Sequence, residues 1–436
     1  MRIAAKAEFT AALAKCSDEF DVETLARKTS LSNRADREVF TNYALKRLKE
    51  LGAGSITKTS IQGWFKKSTF SDYAPNELGL AERMRDTYKG GLKWDCINGQ
   101  WYTWNGIRWK KTPNEAIMGY ARMTVESLFE EAKGLDSESA VKLKDFASKC
   151  CNPKTWENML KAFKSFSDGD NSVLISPHEL NQNLRYFGVN NGEIDLKTLQ
   201  FISAEQTHYL TQVMGVSYDP HADCPLWKKT VLEVCSGDEQ KAEFYQLIAS
   251  YPILGEPIEQ KFFTLQGGGA NGKSTLTNTI LHVYGQFGLI TPSETLLGQS
   301  TNSNAGQTRE DLLRLKGKRL VTVMEPDDDK PLKEGTIKAL TGGEQIAARG
   351  LYAKKTVSFK PQFTLHFCTN HDLLIRGTDH GILRRTVIMT FDRVFKESEQ
   401  DKTLCEKLKA EGSGILNWIL EGVRKYRQTG LAIPSC

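Results

Sequence analysis

The stretch LQGGGANGKSTLTN, residues 265–278, holds the residues whose types and spacing most plainly do chemistry. Gly267, Gly272, Lys273 and Ser274 fit G-x-x-x-x-G-K-[ST]. Backbone N–H groups of Gly267, Gly268, Gly269, Ala270, Asn271 and Gly272 can close around phosphate oxygens only where side chains do not obstruct them. Lys273 then reaches the outer phosphates of ATP, Ser274 ligates Mg²⁺, and Thr275 continues the cradle into a helix. The flanks suit this reading, because a buried-type strand, KFFTLQ, ends just before the loop and a helix is predicted over 273–284.

Three further pieces follow in order. The apolar run RLVTVM ends at Glu325, followed by Pro326, Asp327, Asp328 and Asp329. A carboxylate at a strand end beside a phosphate loop can hold the water shell of magnesium and orient an attacking water; Glu325 is the first choice for that acid and Asp327 the second. FTLHFCTN ends in Asn370, an amide placed to sense a γ-phosphate. Arg384 and Arg385 then precede the apolar strand TVIMTF, where an arginine at a subunit edge could reach a neighbour's γ-phosphate. Between acid and amide, the short strands QIAAR and TVSF flank GLYAKK, so Arg349, Lys354 and Lys355 lie near a hairpin tip that could touch a phosphate backbone.

The elements that must position these groups alternate strand and helix from residue 241 onward, the signature of an α/β core. Residues 1–84 read instead as helices, VETLARKTSLSN and REVFTNYALKRLKELG, with Gly52 as a stop. SITKTSIQGWFKKSTF is either a helix-turn-helix piece with Thr59, Ser60 and Gln62 facing bases or a small packing module. In KWDCINGQWYTWNGIRWKKT, Trp94, Trp101, Trp104 and Trp109 alternate with Asn-Gly turn pairs. Those rings either stack on bases beside Arg108, Lys110 and Lys111 or form the core of a meander. VNNGEIDLKT reads as a second hairpin, YDPHADCPLWKK as a Pro-punctuated entry to a helix, SDGDN as a turn, and SGILNWILEGVRKYRQTG as an amphipathic helix.

At 436 residues the chain is too long for one core. A net charge of +5 is compatible with nucleic acid without demanding it. No run of about 18 apolar residues predicts a membrane span, and the N-terminus lacks the apolar segment of a secretory signal. Nine cysteines without C-x-x-C spacing point to a reducing, cytoplasmic setting. His221, Cys224 and Cys235 form a thin metal set with no fourth ligand.

The order of these motifs resembles the superfamily 3 helicases, AAA+ motors of small viruses and mobile elements, in the branch of phage and plasmid primase-helicases and the poxvirus D5-type protein. NNGEIDLKT, YDPHADCPLW, QGGGANGKST, LKGKRLVTVMEP, KALTGGEQIAARGLY, the Thr-Asn of residues 369–370, GILRRTVIMTF and SGILNWILEGVRKY carry the resemblance, over residues 85–430. It implies an α/β AAA+ P-loop ATPase core, a mainly parallel sheet with helices on both faces. Ahead of that core it implies a mainly helical N-terminal region and a small Trp-rich α+β domain. The division expected is 1–84 helical module, 85–240 Trp-rich D5-N-like domain, 241–395 motor and 396–436 C-terminal helices. By the same resemblance Lys273 and Ser274 take the Walker A roles, Glu325 the Walker B acid and Asn370 sensor 1. Arg385, with Arg384 beside it, matches the arginine finger, and Lys354 and Lys355 fall in the hairpin that grips single-stranded DNA. A homo-hexameric ring acting on single-stranded or forked DNA, with a separate primase or polymerase as a partner, is implied.

Residues 1–85 are too short and too helical for a primase-polymerase unit, so primase activity is not expected of this chain. The chain ends at GLAIPSC, where relatives continue into a winged helix, which leaves template recognition to the N-terminal helices or a partner. The activity expected is ATP hydrolysis driving a DNA helicase of a phage, plasmid or other mobile element. The rivals are an ATP-dependent assembly factor that recruits a primase or polymerase without unwinding, and a P-loop sensor of nucleic acid. A small-molecule kinase would leave the arginines and the hairpin unexplained.

Overall fold

The computed structural model describes residues 9–28, 30–31, 34–52, 56–57, 60–61, 66–67, 73–167, 172–298, 308–326, 329–350, 356–377 and 380–434. Residues 1–103 with 111–177 form one compact unit, and residues 104–110 with 178–436 the other.

In the first unit, helices α1 (Glu19–Lys28) and α2 (Arg34–Glu50) follow the apolar spacing of the sequence. Val22 and Ala26 meet Phe40, Ala44, Leu48 and Ile61 in a small core. The chain turns where Gly52 takes a φ of 81°. The packing of Ile61 in that core fits the small helical module; Thr59 and Gln62 lie outside the described residues.

Helix α3 (Glu77–Tyr88) leads into strands β1 (Leu92–Asp95), β2 (Gln100–Trp104) and β3 (Trp109–Thr112). Helices α4 (Asn114–Ala132), α5 (Ser137–Cys150) and α6 (Pro153–Phe163) follow. Gly99 and Gly106, at φ of 66° and 93°, make the two Asn-Gly turns. Trp101 is 1% exposed and packs with Trp94 and Phe163, ring centroids 4.9 and 6.1 Å away, so it belongs to the core and not to a base-stacking surface. Trp109, fully buried, is claimed by the second unit: its indole N–H donates to the Gln206 carbonyl at 2.9 Å and its amide to the Leu210 carbonyl at 2.8 Å. Arg108 adds a bond to the Thr211 carbonyl at 2.9 Å.

The second unit opens with the antiparallel sheet of β4 (Tyr186–Val189), β5 (Gly192–Asp195) and β6 (Gln200–Ile202). Helix α7 (Pro225–Val234) has Pro225 in its first turn, where a missing N–H costs nothing, and α8 (Glu239–Ser250) follows. A five-stranded sheet then organises the rest: β7 (Phe262–Gln266), β8 (Gly288–Ile290), β9 (Leu320–Met324), β12 (Thr364–Thr369) and β13 (Thr386–Thr390). All its neighbours are parallel, in the order β8-β9-β12-β7-β13. The helix predicted over 273–284 is α9, Lys273–Tyr284.

Alternation along the strands separates two cores. Phe263, Leu265, Val387 and Met389 pack on Leu276, Ile280 and Val283 of α9 and on the last helix, α12 (Gly412–Thr429). Val321, Val323, Leu365 and Phe367 face the other way, onto Ile337 and Leu340 of α10 (Glu334–Thr341). Each fully buried Phe or Val contributes about 1.5–3 kcal/mol, more than the roughly 1 kcal/mol span of β propensities, so burial on both faces sets this sheet. The result is an α/β core with helices on both faces. Strands β10 (Ile346–Ala348) and β11 (Val357–Phe359) pair antiparallel, as the hairpin reading expected; Lys354 and Lys355 lie outside the described residues.

Among the described residues no group of three or more metal-capable side chains comes together, which removes the set of His221, Cys224 and Cys235. Cys224 and Cys235 are core residues, their thiols pushed up to about 12 by burial. No helix among the described residues is long and apolar enough to cross a membrane.

Candidate active site

Three neighbouring parallel strands deliver three of the predicted residues to one end of the sheet. β7 runs into the glycine loop and Lys273, β12 ends one residue before Asn370, and β9 one residue before Glu325. Crevices at the carboxyl ends of parallel strands are where such sheets hold ligands.

The loop is shaped for close approach. A Cβ on Gly267 would lie 2.1 Å from the Asn271 side-chain nitrogen and 2.5 Å from the Phe391 carbonyl. Gly272 sits at φ 82°, and a Cβ there would lie 2.6 Å from Val234. Ala270 takes a φ of 48°, a left-handed conformation that a non-glycine residue holds only at a cost. Its carbonyl accepts the Phe395 amide at 2.8 Å, which fixes the loop to the chain after β13. Gly272 caps α9 without a side-chain bond, so the first amides of that helix stay open for an acceptor. Ser274 is exposed at the same place. We expect Gly267→Ala to destabilise the protein by about 1–3 kcal/mol, the usual range for overpacking, seen as a lower melting temperature.

Lys273 is 4% exposed. Its Nζ donates to the Gly267 carbonyl at 2.6 Å, Asn271 Oδ1 at 2.8 Å and Asn370 Oδ1 at 2.9 Å. Burial pulls its pKa down, opposed by the nearby charge of Glu325. Sequence reasoning placed Asn271 in the cradle but missed its grip on the lysine; an amide two residues before that lysine was the one available signal.

Glu325 is exposed and sits at φ 46°. Its amide donates to the Cys368 carbonyl at 2.8 Å, which extends the β9–β12 ladder by one step past the strand end. Strained, exposed carboxylates of this kind concentrate at functional sites. Asp327 and Asp328 lie outside the described residues. After Asn370 the chain is pinned twice: Thr369 Oγ1 closes the turn on the His371 amide and carbonyl, and Asp372 accepts from Gln266 at 2.8 Å.

The arginines are not brought to this end. The Arg385 carbonyl accepts the Phe262 amide at the start of β7, whereas the glycine loop follows the end of β7. Five strand residues at about 3.3 Å each put about 16 Å between the two. The neighbours also differ from each other. Arg385 is 9% exposed and donates to Thr341 Oγ1 at 3.2 Å, the Gly381 carbonyl at 2.7 Å and Gln260 at 3.4 Å. Arg384 is exposed, with one bond to Gln260 at 3.2 Å. Arg349 lies just past β10, and its carbonyl accepts the Arg309 amide at 2.8 Å.

Comparison with known proteins gives two family matches. Residues 81–236 match the family described as D5 N terminal like. Residues 265–385, from the glycine loop to the second arginine, match a family of unknown function, DUF5906. The chain is 26% identical over 417 residues to "Putative helicase L207/L206" of Acanthamoeba polyphaga mimivirus, covering 87% of this chain and 42% of that protein. It is 26% identical over 280 residues to "Putative helicase 184R" of Invertebrate iridescent virus 6, 62% of this chain and 28% of the other. "Putative primase C962R" of African swine fever virus is 25% identical over 251 residues, 53% of this chain and 26% of the other. The chain therefore spans less than half the length of each of these curated relatives. Among solved structures, the C-terminal region of NrS-1 superposes over 83% of this chain and 75% of that one, at a TM-score of 0.48 and 10% identity.

Proposed function

We propose, for a chain that belongs to the D5-like helicase branch and carries its N-terminal-like domain, that it is an ATP-hydrolysing DNA motor of a virus or other mobile element. The observation that carries this is the 2.9 Å bond between Lys273 Nζ and Asn370 Oδ1. It joins a phosphate-loop lysine to an amide at the tip of the neighbouring strand, with Glu325 at the end of the strand beyond. The sheet order, with the phosphate-loop strand between the amide strand and the arginine strand, supports an AAA+ P-loop core of the superfamily 3 kind. In this reading residues 85–240 are the D5-N-like domain, 241–395 the motor, and 1–84 and 396–436 the flanking helical parts.

The cradle fits ATP with Mg²⁺: close-approach glycines, open helix amides, a buried lysine and an exposed acid converge there. When bound, Mg²⁺ neutralises phosphate charge. The amides of Gly268 and of residues 270–275 hold the phosphates, the Gly269 amide being spent on the Gly267 carbonyl at 2.9 Å, and Lys273 exchanges at least one of its three present acceptors for a phosphate oxygen. Ser274 Oγ and the Glu325 carboxylate are the oxygens available to hold the ion. Glu325 also orients the attacking water and draws on its proton, and Asn370 fixes the γ-phosphate against it. The 16 Å span denies the arginines this role in their own subunit, so the reading places Arg384 in a neighbour's site within a homo-hexameric ring.

The substrate is single-stranded or forked DNA, gripped by the β10–β11 hairpin through Arg349, Lys354 and Lys355. A primase or polymerase would act as a separate partner. ATP hydrolysis with and without single-stranded DNA, run beside unwinding of a 3′-tailed fork, tests this. The wild type should show stimulation and unwinding, and Lys354→Ala with Lys355→Ala should keep basal hydrolysis and lose both. Hydrolysis without unwinding, indifferent to the hairpin change, would favour an ATP-dependent assembly factor.

A further inference from the structure

Helix α10 is bonded to the loop after Asn370 at one end and to the arginine segment at the other, and one carboxylate makes the first connection. Glu334, its first residue, accepts the Gly377 amide on Oε1 at 2.7 Å. Gly377 lies in the loop that leaves Asn370, 43 residues from Glu334 in sequence. The fit is close: a Cβ on Gly377 would lie 2.4 Å from Glu334 Oε2. The same loop is held once more, where the Leu332 amide donates to the Leu374 carbonyl at 2.9 Å. The Glu334 side chain is 19% exposed, and Lys338 Nζ, 3.9 Å off, is the charged group facing it.

At the other end of the helix, Thr341 Oγ1 accepts from Arg385 Nε at 3.2 Å and donates to the Ile337 carbonyl at 2.7 Å. Ile337 and Leu340 are buried at 0% and 1% exposure, so the helix packs against the sheet as one rigid piece. Its eight residues span about 12 Å and run on into β10, while β11 returns toward β12, the strand that ends one residue before Asn370. The Glu334–Gly377 bond therefore closes a circuit: Asn370, its loop, α10, the hairpin, and back to Asn370, with the arginine pair tied in through Thr341.

We propose that Glu334 is a positioning residue that transmits the nucleotide state sensed at Lys273 and Asn370 to the hairpin strands and the arginine segment. A shift of Asn370 moves its loop, and the amide-to-carboxylate bond, a charge-assisted contact, moves α10 as one body. This rests on reading the glycine loop as a nucleotide site.

Hydrogen exchange of the full chain with and without magnesium and ATPγS tests it. In the wild type the nucleotide should slow exchange at 267–275 and also in Ile346–Ala348 and Val357–Phe359. Glu334→Gln, which keeps an acceptor for the Gly377 amide, should behave as wild type. Glu334→Ala, and independently Gly377→Ala, should keep the response at 267–275 and lose it in both hairpin strands. Thermal unfolding of each variant establishes that it is folded, and the two routes to the same broken contact guard against one failing. A hairpin response undiminished in both variants overturns the proposal. A wild-type loop that responds while the hairpin does not overturns it alone; a wild-type loop that does not respond overturns the nucleotide reading and this inference together.

Discussion

Arg384→Ala should bind ATP as the wild type does and hydrolyse it about 10³-fold more slowly. The argument is geometric. Both arginines stand at the start of β13, about 16 Å from the phosphate loop of their own chain, so a catalytic effect must come from a neighbouring copy. Arg385 already commits its guanidinium to Thr341, Gly381 and Gln260, whereas Arg384 is exposed. Arg385→Ala should then act first on stability, by about 1–3 kcal/mol for the buried partners it strands, visible as a lower melting temperature. Mixing Arg384→Ala with Lys273→Ala subunits should restore turnover, because a mixed interface can pair an intact loop with an intact arginine. No recovery on mixing, with both variants folded, would sink the trans assignment.

Glu325→Gln should hold ATP and turn it over about 10²–10⁴-fold more slowly, the range that general-base contributions span. The amide keeps the shape of the carboxylate and its hydrogen bonds to water but cannot take a proton. Because Glu325 is exposed and its amide, not its side chain, makes the bond to Cys368, the change should leave the fold intact. Equilibrium binding of a fluorescent nucleotide beside phosphate release separates the two effects. Near-normal turnover would hand the acid's role to Asp327 or Asp328.

The strands and the phosphate-loop helix were legible because their patterns are local. KFFTLQ, RLVTVM and FTLHFCT each pack on both faces and read as apolar runs, and α9 starts and stops at the predicted residues. β8 was missed: Gly288–Ile290 is three residues at a sheet edge, with too little pattern to show. The tryptophans stayed ambiguous because aromatic residues beside cations serve a core and a base-stacking surface equally well; Phe163, from another helix, decides for Trp101. Arg384 and Arg385 could not be told apart for a related reason. What separates them is Thr341, 44 residues before Arg385, whose hydroxyl accepts from Arg385. Glu334 drew no notice at all, since its partner is a backbone amide that no residue type announces.

The seven residues 104–110 have a practical consequence for the gene. They sit in sequence inside the first unit yet fold as part of the second, where Trp109 occupies a slot bounded by the Gln206 and Leu210 carbonyls. The polypeptide therefore changes unit three times, at 103/104, 110/111 and 177/178. No single cut yields either half whole. A fragment beginning at residue 178 would leave that slot unfilled and the Gln206 and Leu210 carbonyls without these donors. A stable fragment of the second unit calls for the 104–110 peptide grafted to its N-terminus by a short linker, or supplied as a separate peptide.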